Sequence, residues 1–149
     1  MKNFIHEFVA FGYKQAYASL FGGLLLFVII ITHYISVPFL HRYDVIFLSA
    51  ILIQLALILT KLETKKEVLM IAIFHVIATI MEIFKTSSAI GSWSYPESSV
   101  FHIAAVPLFA GFMYSAVGSY LARAWRILKF KFTHYPPVLY TYIVSTLIY

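Results

Sequence analysis

Cysteine is absent from this 149-residue sequence, which excludes disulfides, a Cys-x-x-Cys redox pair and thiolate metal ligands. The absence carries no information about compartment. Charge is scarce as well. Asp, Glu, Lys and Arg make up 11% of the chain, against about 25% in an ordinary soluble domain. No Walker loop, Gly-x-Ser-x-Gly elbow or dinucleotide-binding glycine fingerprint occurs, so the sequence names no cofactor. A net charge of +5 would suggest nucleic acid in a soluble protein. Here no basic run stands free of hydrophobic context, and no nucleic-acid partner is expected.

What is abundant is apolar sequence, 62% of the chain. It falls into four stretches at about 15–35, 43–62, 67–84 and 100–125. A hydrocarbon core of about 30 Å needs roughly 20 mostly apolar residues in a helix. The reading is an all-α, polytopic transmembrane helix bundle in the cell membrane, with the lipid bilayer as its first partner. The run Ala16–Ile31 follows Lys2 and Lys14, as a signal peptide would, but Thr32-His33-Tyr34 offers no small-residue cleavage pattern. It reads as a retained first span. Residues 1–14 place Phe4, Ile5, Phe8, Val9 and Phe11 among Lys2, His6 and Glu7, the spacing of a short interfacial helix.

Lys and Arg set the orientation. Alternate sides of the four spans carry nine against two. The positive-inside rule then puts the N-terminus and the 61–67 loop in the cytoplasm. The segments 36–44 and 85–99 face outward. At the other end, Pro136-Pro137 opens a further apolar run, Val138–Tyr149. Twelve helical residues rise about 18 Å, short of a bilayer, so residues 136–149 read as the start of a truncated fifth span.

Polar residues within the spans are the candidates for chemistry. Gln54 stands alone at mid-depth of the second span and needs a hydrogen-bond partner from another helix. Ser19, Gly22 and Gly23 would allow close helix approach in the first. In the third, His75, Thr79, Glu82 and Thr86 fall at i, i+4, i+7 and i+11, one polar stripe on an apolar helix. A carboxylate at the centre of a span costs about 2.5–3.5 kcal/mol on insertion scales, and less near an end. Glu82 is either paired at the interface with Lys85, with His75 buried and neutral, or it faces a polar cavity inside the bundle.

The next loop carries Gly91-Ser-Trp93-Ser-Tyr95-Pro96-Glu97. Trp93 and Tyr95 alternate, so in an extended segment they point the same way. They read either as an aromatic belt at headgroup level or as a lid over Glu82. The fourth span opens with His102, and Pro107 would free a carbonyl and bend it. Gly111, Ser115 and Ser119 follow as a close-packing face. Tyr114 and Tyr120 read chiefly as packing residues. The expected pocket has walls of Glu82, Trp93, Tyr95, His102 and Pro107 and a floor of Phe109 and Phe112, with Tyr114 as a further contact. His33, His41, Asp44, Glu82, Glu97 and His102 gather on the outer half without HxxxH or HExxH spacing, and no metal site is assigned.

The motifs Phe74-His75, Met81-Glu82-Ile-Phe84-Lys85-Thr86, Gly91-Ser-Trp93-Ser-Tyr95-Pro96-Glu97 and Val106-Pro107-Leu-Phe109-Ala-Gly111-Phe112 lie along this chain. So do Tyr13-Lys14-Gln15-Ala16, Arg42-Tyr43-Asp44 and Gly118-Ser-Tyr120-Leu-Ala-Arg123-Ala-Trp125. Together they resemble an uncharacterised bacterial membrane family, domain of unknown function 817, over almost the whole chain. Its members look longer, with further spans, so the resemblance implies the N-terminal half of such a protein. It implies no activity. A fainter similarity connects Glu82, Gly91-Ser-Trp93-Ser-Tyr95 and Val106-Pro107 to carotenoid-pathway membrane hydratases and cyclases. Lys85 in place of a frequent glycine, and Trp93 in place of tyrosine or phenylalanine, depart from that pattern.

Two functions of different class follow. In one, a membrane-embedded enzyme acts on an isoprenoid or other lipid. Glu82 is then a general acid, aided by His75 and His102, and Trp93, Tyr95, Pro107 and Tyr114 bind the substrate. In the other, a small-solute transporter or binding protein uses Glu82 and His75 as a proton relay. A purely structural membrane protein needs no site. Neither substrate nor oligomeric state is fixed by the sequence.

Overall fold

The computed structural model describes residues 2–131 and 133–148 and is mainly helical. Its elements are α1 (Lys2–Ala18), α2 (Leu20–Tyr34), α3 (Arg42–Leu59), α4 (Lys65–Thr86), β1 (His102–Ile103), β2 (Val106–Pro107), α5 (Phe109–Leu128) and α6 (Val138–Ile148). Among the described residues α3 and α4 are long and apolar enough to cross a membrane, and the pair α1–α2 makes a third if it counts as one bent span. α5 has the length, 20 residues. Beyond Phe109, however, its buried face is made of small and polar residues, Ala110, Gly111, Ser115, Gly118, Ser119, Arg123 and Ala124.

The first apolar run does not form one straight helix from Gln15. It breaks at Ser19, where α1 and α2 diverge by 65°. The Ser19 hydroxyl donates back to the carbonyls of Gln15 and Ala16, at 3.0 and 3.2 Å, a back-bond that competes with the helical ladder and bends it. The break frees the carbonyl of Tyr17, and Arg123 Nη1 donates to it at 3.1 Å.

α4 begins with a capping box. The Thr64 hydroxyl accepts from the Glu67 amide, and the Glu67 carboxylate accepts from the Thr64 amide at 2.7 Å. The pairing satisfies two amides that open every helix without a partner. α4 then packs mainly on α5 and hardly touches α3, its neighbour in sequence. Small residues make that approach: a Cβ on Gly118 would lie 2.8 Å from the Phe74 ring. Ser115, fully buried, donates to the carbonyls of Ile71 and Gly111. An apolar cluster of Phe21, Leu25, Tyr43, Ile46, Ala50 and Phe109 joins α2, α3 and α5.

Charged side chains lie buried inside the bundle while many large apolar ones are exposed. Asp44, Glu63, Glu67, Glu82 and Arg123 are buried, while Leu26, Phe27, Leu52, Leu69, Val76 and Ile80 are more than half exposed. Water would reverse that arrangement; a lipid surround suits it. Ion pairs lie at both ends of the bundle. At one end Arg42 pairs with Glu97 at 2.9 Å, and Asp44 accepts from Ser99 Oγ and the amides of Val100 and Phe101. At the other, Arg123 pairs with Glu63 at 2.6 Å and Arg126 with Glu67 at 3.0 Å.

The fourth span was expected from Val100, with Pro107 as its kink. Residues 102–107 instead form a small antiparallel hairpin, Ile103 opposite Val106, turning at Ala104 (φ 53°). The helix starts only at Phe109. Pro107 is therefore a strand residue before a helix, where its missing N–H breaks no helical bond. α6 buries none of its residues.

Candidate functional site

Glu82 is 1% exposed and lies at the centre of an aromatic cage. Oε2 accepts from Trp93 Nε1 at 3.0 Å and from the Tyr95 hydroxyl at 2.5 Å. Oε1 accepts from the Tyr114 hydroxyl at 2.7 Å. All three partners can donate to its oxygens, and the two tyrosine hydroxyls can also accept. Lys85 does not pair with Glu82. Its ammonium lies 5.0 Å from the centroid of the Trp93 ring, a cation–π contact.

Each donor is held in place separately. The Tyr95 ring meets Tyr43 and Phe109 edge-on, both at 6.1 Å between centroids. Burial raises the Tyr95 phenol above its ordinary range, and the hydrogen bond to Glu82 and its charge add to that. Tyr114 stands on α5, the helix most tightly packed on α4. The loop bearing Trp93 and Tyr95 is anchored at its far end by Asp44 in the first turn of α3.

A cavity of about 470 Å³ is lined by Glu82, Trp93, Tyr95, Met113, Tyr114 and Val117. Met113 and Val117 are about half exposed on the outer flank of α5, so this space opens sideways rather than along the helix axes. His102 and Pro107 do not join it. With Tyr95, Glu97, Ser98 and Ser99 they line a second, more polar cavity of about 330 Å³. The single pocket expected from the sequence is thus two cavities sharing Tyr95, because the hairpin occupies the place of the expected kink. Of the expected floor, Phe109 packs behind Tyr95 and Phe112 lies on His75.

His75 sits two turns from Glu82 and is not hydrogen-bonded to it. Its ring contacts Phe112 at 4.4 Å, and a Cβ on Gly111 would come within 2.5 Å of its Nδ1. Thr79, between the two, donates to the His75 carbonyl at 2.8 Å. Among the described residues no three His, Asp or Glu side chains converge as metal ligands. Sequence reasoning missed Met113 and Val117 as cavity residues and Asp44 as the anchor of the loop. The Arg42-Tyr43-Asp44 motif was the available signal for Asp44.

The family profile described as "Protein of unknown function (DUF817)" matches residues 7–149. A relative from Bacillus subtilis (strain 168), printed as "Uncharacterized protein YoaT", is 42% identical over 132 residues. The match takes in 89% of this chain and 49% of the relative, so the chain spans about half the length of that protein. No solved structure matches. With nearly its whole length inside the family profile, the chain belongs to the DUF817 family.

Proposed function

We propose that the chain is part of a multi-pass protein of the cell membrane, N-terminus cytoplasmic, whose working group is Glu82. The cavity beside Glu82 takes a hydrophobic small molecule from the bilayer, and the protein acts on it as a membrane-embedded enzyme for an isoprenoid or other lipid. The observation that carries this reading is a buried carboxylate, fixed by three aromatic donors, at the wall of a cavity that opens on the outward flank of α5. Mostly apolar walls with a few convergent polar groups are the usual form of a small-molecule site.

The cage refines the role of Glu82. Held at both oxygens by Trp93, Tyr95 and Tyr114, the Glu82 carboxyl is fixed where it can exchange a proton with the bound molecule or balance positive charge on it. Three electron-rich rings around it favour a cationic centre on the bound molecule. The relay reading has less support, since the Thr79 hydroxyl between His75 and Glu82 is turned to its own helix.

Occupancy tests the proposal. In bilayer vesicles containing the intact protein, a photoreactive isoprenoid alcohol is expected to label α5 around Met113 and Val117. Val117→Trp, which fills the cavity, is expected to abolish that label. Labelling spread evenly over the helices, unchanged by Val117→Trp, would count against the site.

A further inference from the structure

We infer that the Tyr95 hydroxyl is the route by which Glu82 exchanges its proton with the polar cavity at the loop end of the bundle. Glu82 is 1% exposed, and the cavity it lines opens sideways on the flank of α5. Its supply of protons therefore comes through a group bonded to it. Among the described residues there are three such groups, and their chemistry differs. The Trp93 indole N–H only donates, so it cannot take up a second proton to replace the first. A tyrosine hydroxyl donates and accepts at once, so Tyr95 and Tyr114 can each pass a proton on. Tyr114 lines the sideways cavity with Met113 and Val117. Tyr95 lines that cavity too, and it alone of the three also lines the polar cavity of Glu97, Ser98 and His102.

Glu97, Ser98 and His102 are exposed, and a polar space of about 330 Å³ is roomy enough to admit water. Atoms and charge balance in the exchange. As the Tyr95 O–H bond breaks and Glu82 Oε2 gains the proton, the Tyr95 oxygen takes one from water or from the His102 imidazolium. Return of the proton reverses both steps. Burial, with the bond to Glu82 and its charge, raises the Tyr95 phenol. The ring therefore stays neutral and hands on a proton only as it receives another. Tyr95 is faced by Glu82 from α4, Tyr43 from α3 and Tyr114 from α5, and by Glu97 and His102 along the polar cavity. Glu97 is paired with Arg42 at 2.9 Å, so His102 is the better proton donor of the two. That Glu82 changes protonation belongs to the proposed function, on which this route rests; the side it is supplied from is what the two cavities add.

The rate of exchange tests the route. The intact protein in bilayer discs is given a sudden drop in pH, and protonation of Glu82 is followed by the infrared band of its carboxyl, assigned by its loss in Glu82→Gln. Tyr95→Phe keeps the ring against Tyr43 and Phe109 and removes only the hydroxyl. It is expected to slow the protonation about a hundredfold. Tyr114→Phe removes a hydroxyl from the same carboxyl and is expected to shift the midpoint but keep the parental rate. Ser98→Trp, which fills the polar cavity and leaves Tyr95 in place, should slow the reaction. Val117→Trp, which fills the other cavity, should not. A parental rate in Tyr95→Phe or in Ser98→Trp, or a larger slowing in Tyr114→Phe, would overturn the route while leaving Glu82 as the working group. A carboxyl band that never changes with pH would remove the proposed function and the route together.

Discussion

Tyr95 and Glu82 lie thirteen positions apart and meet at 2.5 Å, phenol to carboxylate. That contact closes the loop after α4 back onto α4 and makes one residue the shared wall of two cavities. It also couples the loop to the protonation of Tyr95. The raised phenol contributes stability that is fully present below the ordinary tyrosine value of about 10 and is lost as pH rises above it, because the unfolded chain then releases the proton first. The thermal midpoint of the detergent-solubilised protein should fall above pH of about 10, and less steeply in Tyr95→Phe. Equal slopes would show that the contact is not made.

Substitution at the helix seam should be costly. Gly111→Ala places a methyl 2.5 Å from His75 Nδ1 and Thr79 Oγ1, and forced repacking of this kind is worth about 1–3 kcal/mol. Gly12→Ala, with open space around it inside α1, should instead stabilise by about 0.5–1 kcal/mol in the same thermal-unfolding comparison.

The buried pair at the other end allows a cycle. Arg123→Met leaves Glu63 as an uncompensated buried charge, a loss of about 3–5 kcal/mol. Combining it with Glu63→Gln should restore most of that loss. An additive double variant in chemical denaturation would mean the 2.6 Å pair is not coupled.

Orientation can be read on intact cells. With no native cysteine, single cysteines at Ser88 and Lys65 report the two ends separately. An impermeant maleimide should label Ser88→Cys and spare Lys65→Cys. The opposite pattern would invert the topology.

Part of this was readable in the sequence and part was not. The stripe from His75 to Thr86 showed that Glu82 and Thr79 share a face, and both are buried. The alternation of Trp93 and Tyr95 suggested that both rings could turn toward Glu82, as they do. Hydropathy could not reveal the bend at Ser19, which arises from one hydroxyl bonding to the preceding turn. Nor could it separate Val100–Leu108 from the helix that follows. The hairpin there is held by bonds such as Leu108 N–H to the Phe101 carbonyl, 2.9 Å, and by Asp44 more than fifty residues away, a distance over which local patterns carry no information.

In the proposed function the Glu82 carboxylate works on a molecule taken from the bilayer. Untargeted lipid profiling tests it most directly, comparing cells that carry the intact gene, no gene, or the Glu82→Gln variant. The variant keeps the side-chain shape but sets an amide N–H₂ against one of its donors, a loss of about 1–3 kcal/mol, so its elution as a folded protein is checked alongside. A lipid species is expected that changes when the gene is deleted and is not restored by Glu82→Gln. A folded Glu82→Gln protein that restores the parental profile in full would contradict it.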